Sequence, residues 1–125
     1  MFSMVTLKVV SAELTSEKDF VDGMDPFATI RTIAHELKTR VAESQGTHPV
    51  WNDCFQVNVN EDPTVLISVW DKDKAGLDDP LGETTINLEQ QIKSEQLMVW
   101  QPLYKDGLPK GKIYVEIHLP GQHEF

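Results

Sequence analysis

Basic residues are scarce in this chain: 11 lysines and arginines stand against 20 aspartates and glutamates, a formal charge of −9 at neutral pH. Such a surface repels nucleic-acid phosphates and offers them no basic footprint, which sets nucleic-acid binding aside. It repels anionic lipid for the same reason. Any membrane role therefore requires a local basic face or cations that reverse the sign. Cysteine is nearly absent as well. Cys54 is the only one, so no internal disulfide can form, and its setting in CFQVNV reads as a small buried hydrophobe in a reducing, cytoplasmic protein. A cysteine nucleophile needs a base and an orienting partner, and the four scattered histidines supply no such signature. His35 and His48 read as exposed loop residues, and His118 and His123 have no metal-ligand spacing with each other or with Cys54. Long apolar runs are missing too: no stretch approaches the ~20 residues that span a bilayer, and MFSMVTLKVV has no basic leader region. The expectation is a protein that is neither secreted nor transmembrane.

What is present describes an ordinary folded domain. With 125 residues, 40% of them hydrophobic, the chain can bury one core, and residues 1–120 are expected to form one domain followed by a tail at 121–125. Short runs of period-two alternation, rich in β-branched residues, are separated by Gly, Pro, Asp and Asn clusters. They predict strands near Val5 to Ala12, Phe27 to Ala34, Lys38 to Glu43, Cys54 to Val59, Thr64 to Asp71, Leu81 to Asn87, Val99 to Leu103 and Lys112 to Leu119. Eight short strands predict an all-β antiparallel sandwich. One short surface helix is expected within Leu88 to Gln96, and Trp51 is expected in the core.

Aspartates concentrate in two of the inter-strand segments, KDFVDGMDPF (Lys18 to Phe27) and WDKDKAGLDDPLG (Trp70 to Gly82). Asp and Gly populate turns for conformational reasons alone. Yet Asp71, Asp73, Asp78 and Asp79 fall within nine residues, and like charges that close destabilise a loop unless a cation neutralises them. Oxygen ligands without a His or Cys cluster select calcium or magnesium, and a flexible cup favours calcium. An EF-hand does not fit: started at Asp71, its pattern needs an oxygen side chain at Ala75 and a glutamate at Gly82.

The order of these segments resembles the C2 domain, the calcium- and lipid-binding module of protein kinases C. LKVVSAELT resembles its first strand and DGMDPFATI its Ser-Asp-Pro-Tyr-Val loop exit. HPVWNDCF, following KTR, resembles the Asn-Pro-Val-Trp-Asn-Glu-x-Phe segment, and VWDKDKAGLDDPLGE the third-loop signature. The chain opens on the strand leading into the first calcium loop and closes with GKIYVEIHL, which resembles the strand placed first in the other circular permutant. The resemblance thus implies a Greek-key sandwich of type II topology, as in phospholipases C and novel protein kinases C.

By the same resemblance, the calcium-ligand carboxylates fall on Asp19, Asp25, Asp71, Asp73 and Asp79, with backbone carbonyls of Lys18 and Lys72 completing the shell. Asp22 and Asp78 become neighbours that add negative potential. Gly76 stands where members binding a third ion often carry a hydroxyl, which implies about two Ca2+. Met24 replaces the usual Ser before Asp25. The implied function is calcium-dependent binding to anionic, phosphatidylserine-like membrane by a cytoplasmic monomer that becomes peripheral, without catalysis. Phe20, Val21 and Met24 on the first loop and Leu77 on the third are the expected membrane contacts, although such residues also serve as loop packing. Arg31, Lys38 and Arg40 would form a headgroup site like that of some family members, or simply a solvated sheet face. A protein-interaction module in which calcium plays a structural or minor part is the alternative.

Overall fold

A computed structural model describes residues 3–15, 23–61 and 63–121. Eight strands and one short helix follow in the order β1 (Met4–Leu14), β2 (Pro26–Arg31), β3 (Glu36–Lys38), β4 (Val50–Asn58), β5 (Thr64–Asp71), β6 (Asp79–Asn87), α1 (Leu88–Lys93), β7 (Met98–Lys105) and β8 (Leu108–His118). All strand pairs are antiparallel. The hydrogen-bonded order β3-β2-β5-β6-β7-β8-β1-β4 is continuous, but β6 and β7 share only the rung Glu83 to Tyr104. The ladder therefore folds there into two facing layers, an all-β sandwich closing toward a barrel. β8 lies beside β1 along most of its length, the adjacency a circular permutant of type II order needs.

Alternation builds the core. Val5, Leu7 and Val9 of β1 point inward, and a bulge between Val9 and Ser11 shifts the phase so that Ala12 and Leu14 continue on the same side. Val65, Ile67 and Val69 of β5 meet Ile113, Val115 and Ile117 of β8 in the same buried cluster. Trp51 is buried as expected, and its indole Nε1–H donates to the Pro26 carbonyl at 3.1 Å. Asn87 caps α1 by accepting the Gln90 N–H, and Leu88 pins the helix to the core.

Two expectations need correcting. Cys54 is exposed, not buried. Trp51, Phe55, Val57 and Val59 occupy the inward phase of this segment, so period two turns Cys54 and Gln56 out to solvent. The third strand ends at Lys38 instead of running from Lys38 to Glu43. The Thr39 hydroxyl, in place of a backbone carbonyl, accepts the Ala28 N–H, and Arg40 is drawn to Asp53, so the regular ladder stops although Thr39 N–H still donates to the Ala28 carbonyl.

The β7–β8 hairpin turns on Asp106 and Gly107, both at positive φ (53° and 78°), the two-residue arrangement an Asp-Gly pair favours. Farther down, Gly111 (φ 120°) lies against β1 so closely that a Cβ would collide with the Glu13 carbonyl. Gly111→Ala should therefore destabilise the fold by about 2–3 kcal/mol, from backbone strain plus displacement of β1. Gly107→Ala meets open space and should cost only ~1 kcal/mol. Thermal melts of both variants, read against wild type, check the order and size of the two losses.

Candidate divalent-cation cup

The last rungs of the β2–β5 ladder set the site. Antiparallel pairing places Pro26 opposite Asp71, so the start of β2 and the end of β5 arrive at the same pole although they are distant in sequence. Beyond that rung, Lys72 N–H donates to the Asp25 carbonyl at 3.0 Å, and Asp25 N–H donates to Asp71 Oδ1 at 2.9 Å. On the other side, Asp71 pairs with Asp79 across the β5–β6 connection. Asp25, Asp71, Asp73, Asp78 and Asp79 consequently line one open depression, with Lys72, Lys74 and Leu77 on its walls.

Backbone amides orient these carboxylates. Asp25 Oδ1 accepts the Ser44 N–H at 2.7 Å, Asp71 Oδ1 accepts from Asp25, and Asp73 Oδ1 accepts the Ala75 N–H at 2.8 Å. Asp78 Oδ1 accepts the Asp73 N–H and lies 3.7 Å from the Lys72 ammonium. Asp25, Asp71 and Asp73 thus commit Oδ1 to the protein, leaving Oδ2 without a hydrogen-bond donor among the described residues. Among those residues no three carboxylates are gathered closely enough to enclose an ion by themselves. The chemistry nonetheless fits a hard divalent cation: the donors are all oxygen, no His or Cys stands among them, and charge of one sign is held in place.

The remaining expected site residues fall in different places. Lys18, Asp19, Phe20, Val21 and Asp22 lie outside the described residues. Leu77 projects from the third loop at 92% exposure. Met24 is corrected: it is 1% exposed and packs in the core, with its carbonyl accepting the Gly46 N–H, so it is no membrane contact. Unbranched and flexible, it fills the space under the loop root. Sequence reading missed the 42–46 segment, which supports the cup from below by donating to the Pro26, Met24 and Asp25 oxygens. Ser44 reaches Asp25 from a left-handed conformation (φ 58°), and nothing in its residue type announced that.

Arg31 is exposed at the end of β2 and pairs with Glu36 at 3.1 Å. Lys38 is exposed on β3. Arg40 grips Asp53 through its backbone N–H and two guanidinium nitrogens. A headgroup at this trio would compete with two carboxylates already in place.

The chain belongs to the C2 domain family, whose model matches residues 3–103. It is 36% identical over 116 residues to 16 kDa phloem protein 2 of Arabidopsis thaliana, an alignment covering 90% of this chain and 79% of that protein. It is 37% identical over 87 residues to Elicitor-responsive protein 3 of Oryza sativa subsp. japonica, covering 67% of this chain and 60% of that one. The solved structure of a C2 domain-containing protein from an elicitor-responsive gene superposes with a TM-score of 0.77 at 30% identity, over 99% of this chain and 94% of that chain. The calcium-bound pair of C2 domains of Extended-Synaptotagmin 2 gives 0.72 at 26% identity, over 94% of this chain and 45% of that one.

The Arg40–Asp53 clamp makes a pH prediction. Partial burial pushes the Asp53 carboxyl up, but hydrogen bonds from the Arg40 side chain and backbone, with its charge, outweigh that and hold it below the usual carboxylate range. A carboxyl depressed in the folded state contributes stability above its unfolded pKa, about 3.9, and loses it as pH falls through the folded value. Asp53→Asn should lower the neutral-pH melting temperature and flatten the acid-side loss below about pH 4. Melts from pH 7 to about pH 2.5 measure both effects.

Proposed function

We propose that this chain docks onto anionic phospholipid membrane through the aspartate cup when calcium is present, and that it has no catalysis of its own. The single observation carrying this reading is the convergence of Asp25 with Asp71, Asp73 and Asp79 at one pole, where three of the four carboxylates are oriented by amides and keep a second oxygen for a cation. The family match and the likeness to a calcium-bound relative support it. Asp19, carried over by resemblance, is proposed as the fifth ligand, with carbonyls of Lys18 and Lys72 beside it. Calcium, when bound, supplies positive charge and coordination positions that lipid phosphate or carboxylate oxygens fill.

The chain's own residues do the rest. Without the cation, the clustered carboxylates repel both one another and an anionic bilayer, which opposes docking through the cup. Asp78 adds to that field, and its contacts with the Asp73 amide and the Lys72 ammonium tie the third loop to itself. Leu77 stands at the rim with nearly all of its side chain in solvent, so its transfer to the acyl boundary adds affinity in proportion to the apolar area buried. Phe20 and Val21 are proposed to do the same from the first loop. No separate base, nucleophile or oxyanion donor accompanies the carboxylates among the described residues, which supports a binding role over a hydrolytic one.

Co-sedimentation with phosphatidylserine and phosphatidylcholine vesicles, in calcium and in chelator, tests the reading. Sedimentation with phosphatidylserine vesicles should rise sharply on adding calcium and stay low with phosphatidylcholine, and Asp71→Asn with Asp73→Asn should abolish the calcium increment. Equal sedimentation under all four conditions would sink the proposal and favour a protein-interaction module. Leu77→Ala should weaken calcium-dependent binding by about fivefold, from roughly 1 kcal/mol of lost apolar burial, while leaving calcium affinity in solution unchanged.

A further inference from the structure

The same pole carries a feature of opposite sign. β7 runs toward the cup end, its Tyr104 level with Glu83 of β6, and β8 starts there before running back beside β1. The Asp106–Gly107 turn therefore stands at the pole of the aspartate cup, and the Lys110 carbonyl accepts the Thr15 N–H at the root of the first loop. In a chain of formal charge −9, the segment from Tyr104 to Lys112 holds three lysines (Lys105, Lys110, Lys112) against one aspartate.

Apolar surface accompanies the charge. Leu108 is 58% exposed and Tyr104 47% exposed on the hairpin itself. Trp100 and Met98 extend the exposed row down β7. Lys112 lies 4.6 Å from the Trp100 ring centre, and Trp100 packs at 5.2 Å on Tyr114. Among the described residues, four of the eight exposed large hydrophobic side chains thus belong to this one hairpin, which carries the three lysines as well. Single exposed apolar residues are ordinary, but several on one hairpin are the kind of patch that marks an interaction surface.

We infer that the β7–β8 hairpin is a second membrane-contacting element, which holds anionic lipid headgroups by Lys105 and Lys110 and sets Leu108 and Tyr104 into the interface without needing calcium. This rests on the membrane-docking reading of the same pole. Charge complementarity selects the occupant: anionic lipid carries the sign these lysines attract, and lysine beside aromatic and aliphatic side chains matches the charged and apolar layers of a bilayer surface. Geometry adds to it. The tip is a short two-residue turn, so few residues need ordering on binding. An edge of positive charge beside the cup would hold the pole near the membrane before the aspartates are neutralised, and would fix the domain's tilt afterwards.

The test uses the full chain carrying Lys105→Gln, Lys110→Gln and Leu108→Ser, with Lys8→Gln plus Lys93→Gln as a control that removes the same charge elsewhere. Binding to phosphatidylserine-containing vesicles should fall about tenfold or more for the hairpin variant, in calcium and in chelator alike. Calcium affinity measured in solution without lipid should stay unchanged, as should vesicle binding of the control. Equal binding of the hairpin variant and wild type overturns the inference, as does an equal fall in hairpin variant and control. Hairpin-dependent capture of a polyglutamate peptide without hairpin-dependent vesicle binding also overturns it, and assigns the surface to an acidic protein segment. If calcium adds nothing to wild-type binding while the hairpin variant still weakens it in chelator, the cup reading fails and the hairpin stands. Leu108→Ser alone, at an exposed position, repeats the comparison should the triple variant melt early.

Discussion

One rung of sheet pairing, Pro26 opposite Asp71, carries the functional end of this molecule. It brings the first and third loops together, and the two bonds beyond it, Lys72 N–H to the Asp25 carbonyl and Asp25 N–H to Asp71 Oδ1, extend that pairing into the cup. Carboxylates brought to one pole oppose the arrangement by mutual repulsion. The opposition is met from below, where Ala28, Ile30, Ile67 and Val69 of the same two strands are fully buried and close-packed, so the strand ends cannot spread without disturbing the core. The domain thus uses packing energy to hold an electrostatically unfavourable group of side chains in place.

The sandwich was legible because its signal is periodic. Val65, Ile67 and Val69 alternate with partly exposed partners, and the predicted strand Thr64 to Asp71 coincides with β5. What escaped the sequence was set by events without a period. The bulge in β1, the left-handed turn at Ser44 and the early end of β3 are each local departures from the alternation. Met24 shows the limit for function: in a loop beside Asp25 its type suits a membrane rim and a core equally well, and only the fold decides for the core. Cys54 shows the reverse, an apolar-looking neighbourhood whose alternation sends it outward. The aspartates stood out for a different reason, since Asp71, Asp73, Asp78 and Asp79 fall within nine residues whichever way the backbone runs.

The division of labour within each carboxylate bears on how the cup works. An aspartate with both oxygens hydrogen-bonded to amides would be a structural cap, and one with neither bonded would swing freely and lose entropy on binding. Asp25, Asp71 and Asp73 sit between these cases, with one oxygen fixed by an amide. Their orientation is settled before any ligand arrives, which lowers the ordering cost of binding.

The distribution of cations distinguishes two surfaces that look alike in composition. Arg31 and Arg40 face carboxylates already within 3.1 Å, so their charge is spent inside the fold, and the Arg40–Asp53 clamp closes the gap between the end of β3 and β4. One hairpin lysine is arranged differently. Lys112 has a long contact to Glu13 at 3.8 Å and lies over a tryptophan face. A cation held by a short, multidentate ion pair is structural, because a competing anion must first break it; a cation over an aromatic ring, or weakly paired at the surface, keeps its field for whatever approaches. On that physical ground Arg31 and Arg40 are committed within the fold, whereas Lys112 keeps more of its field toward solvent.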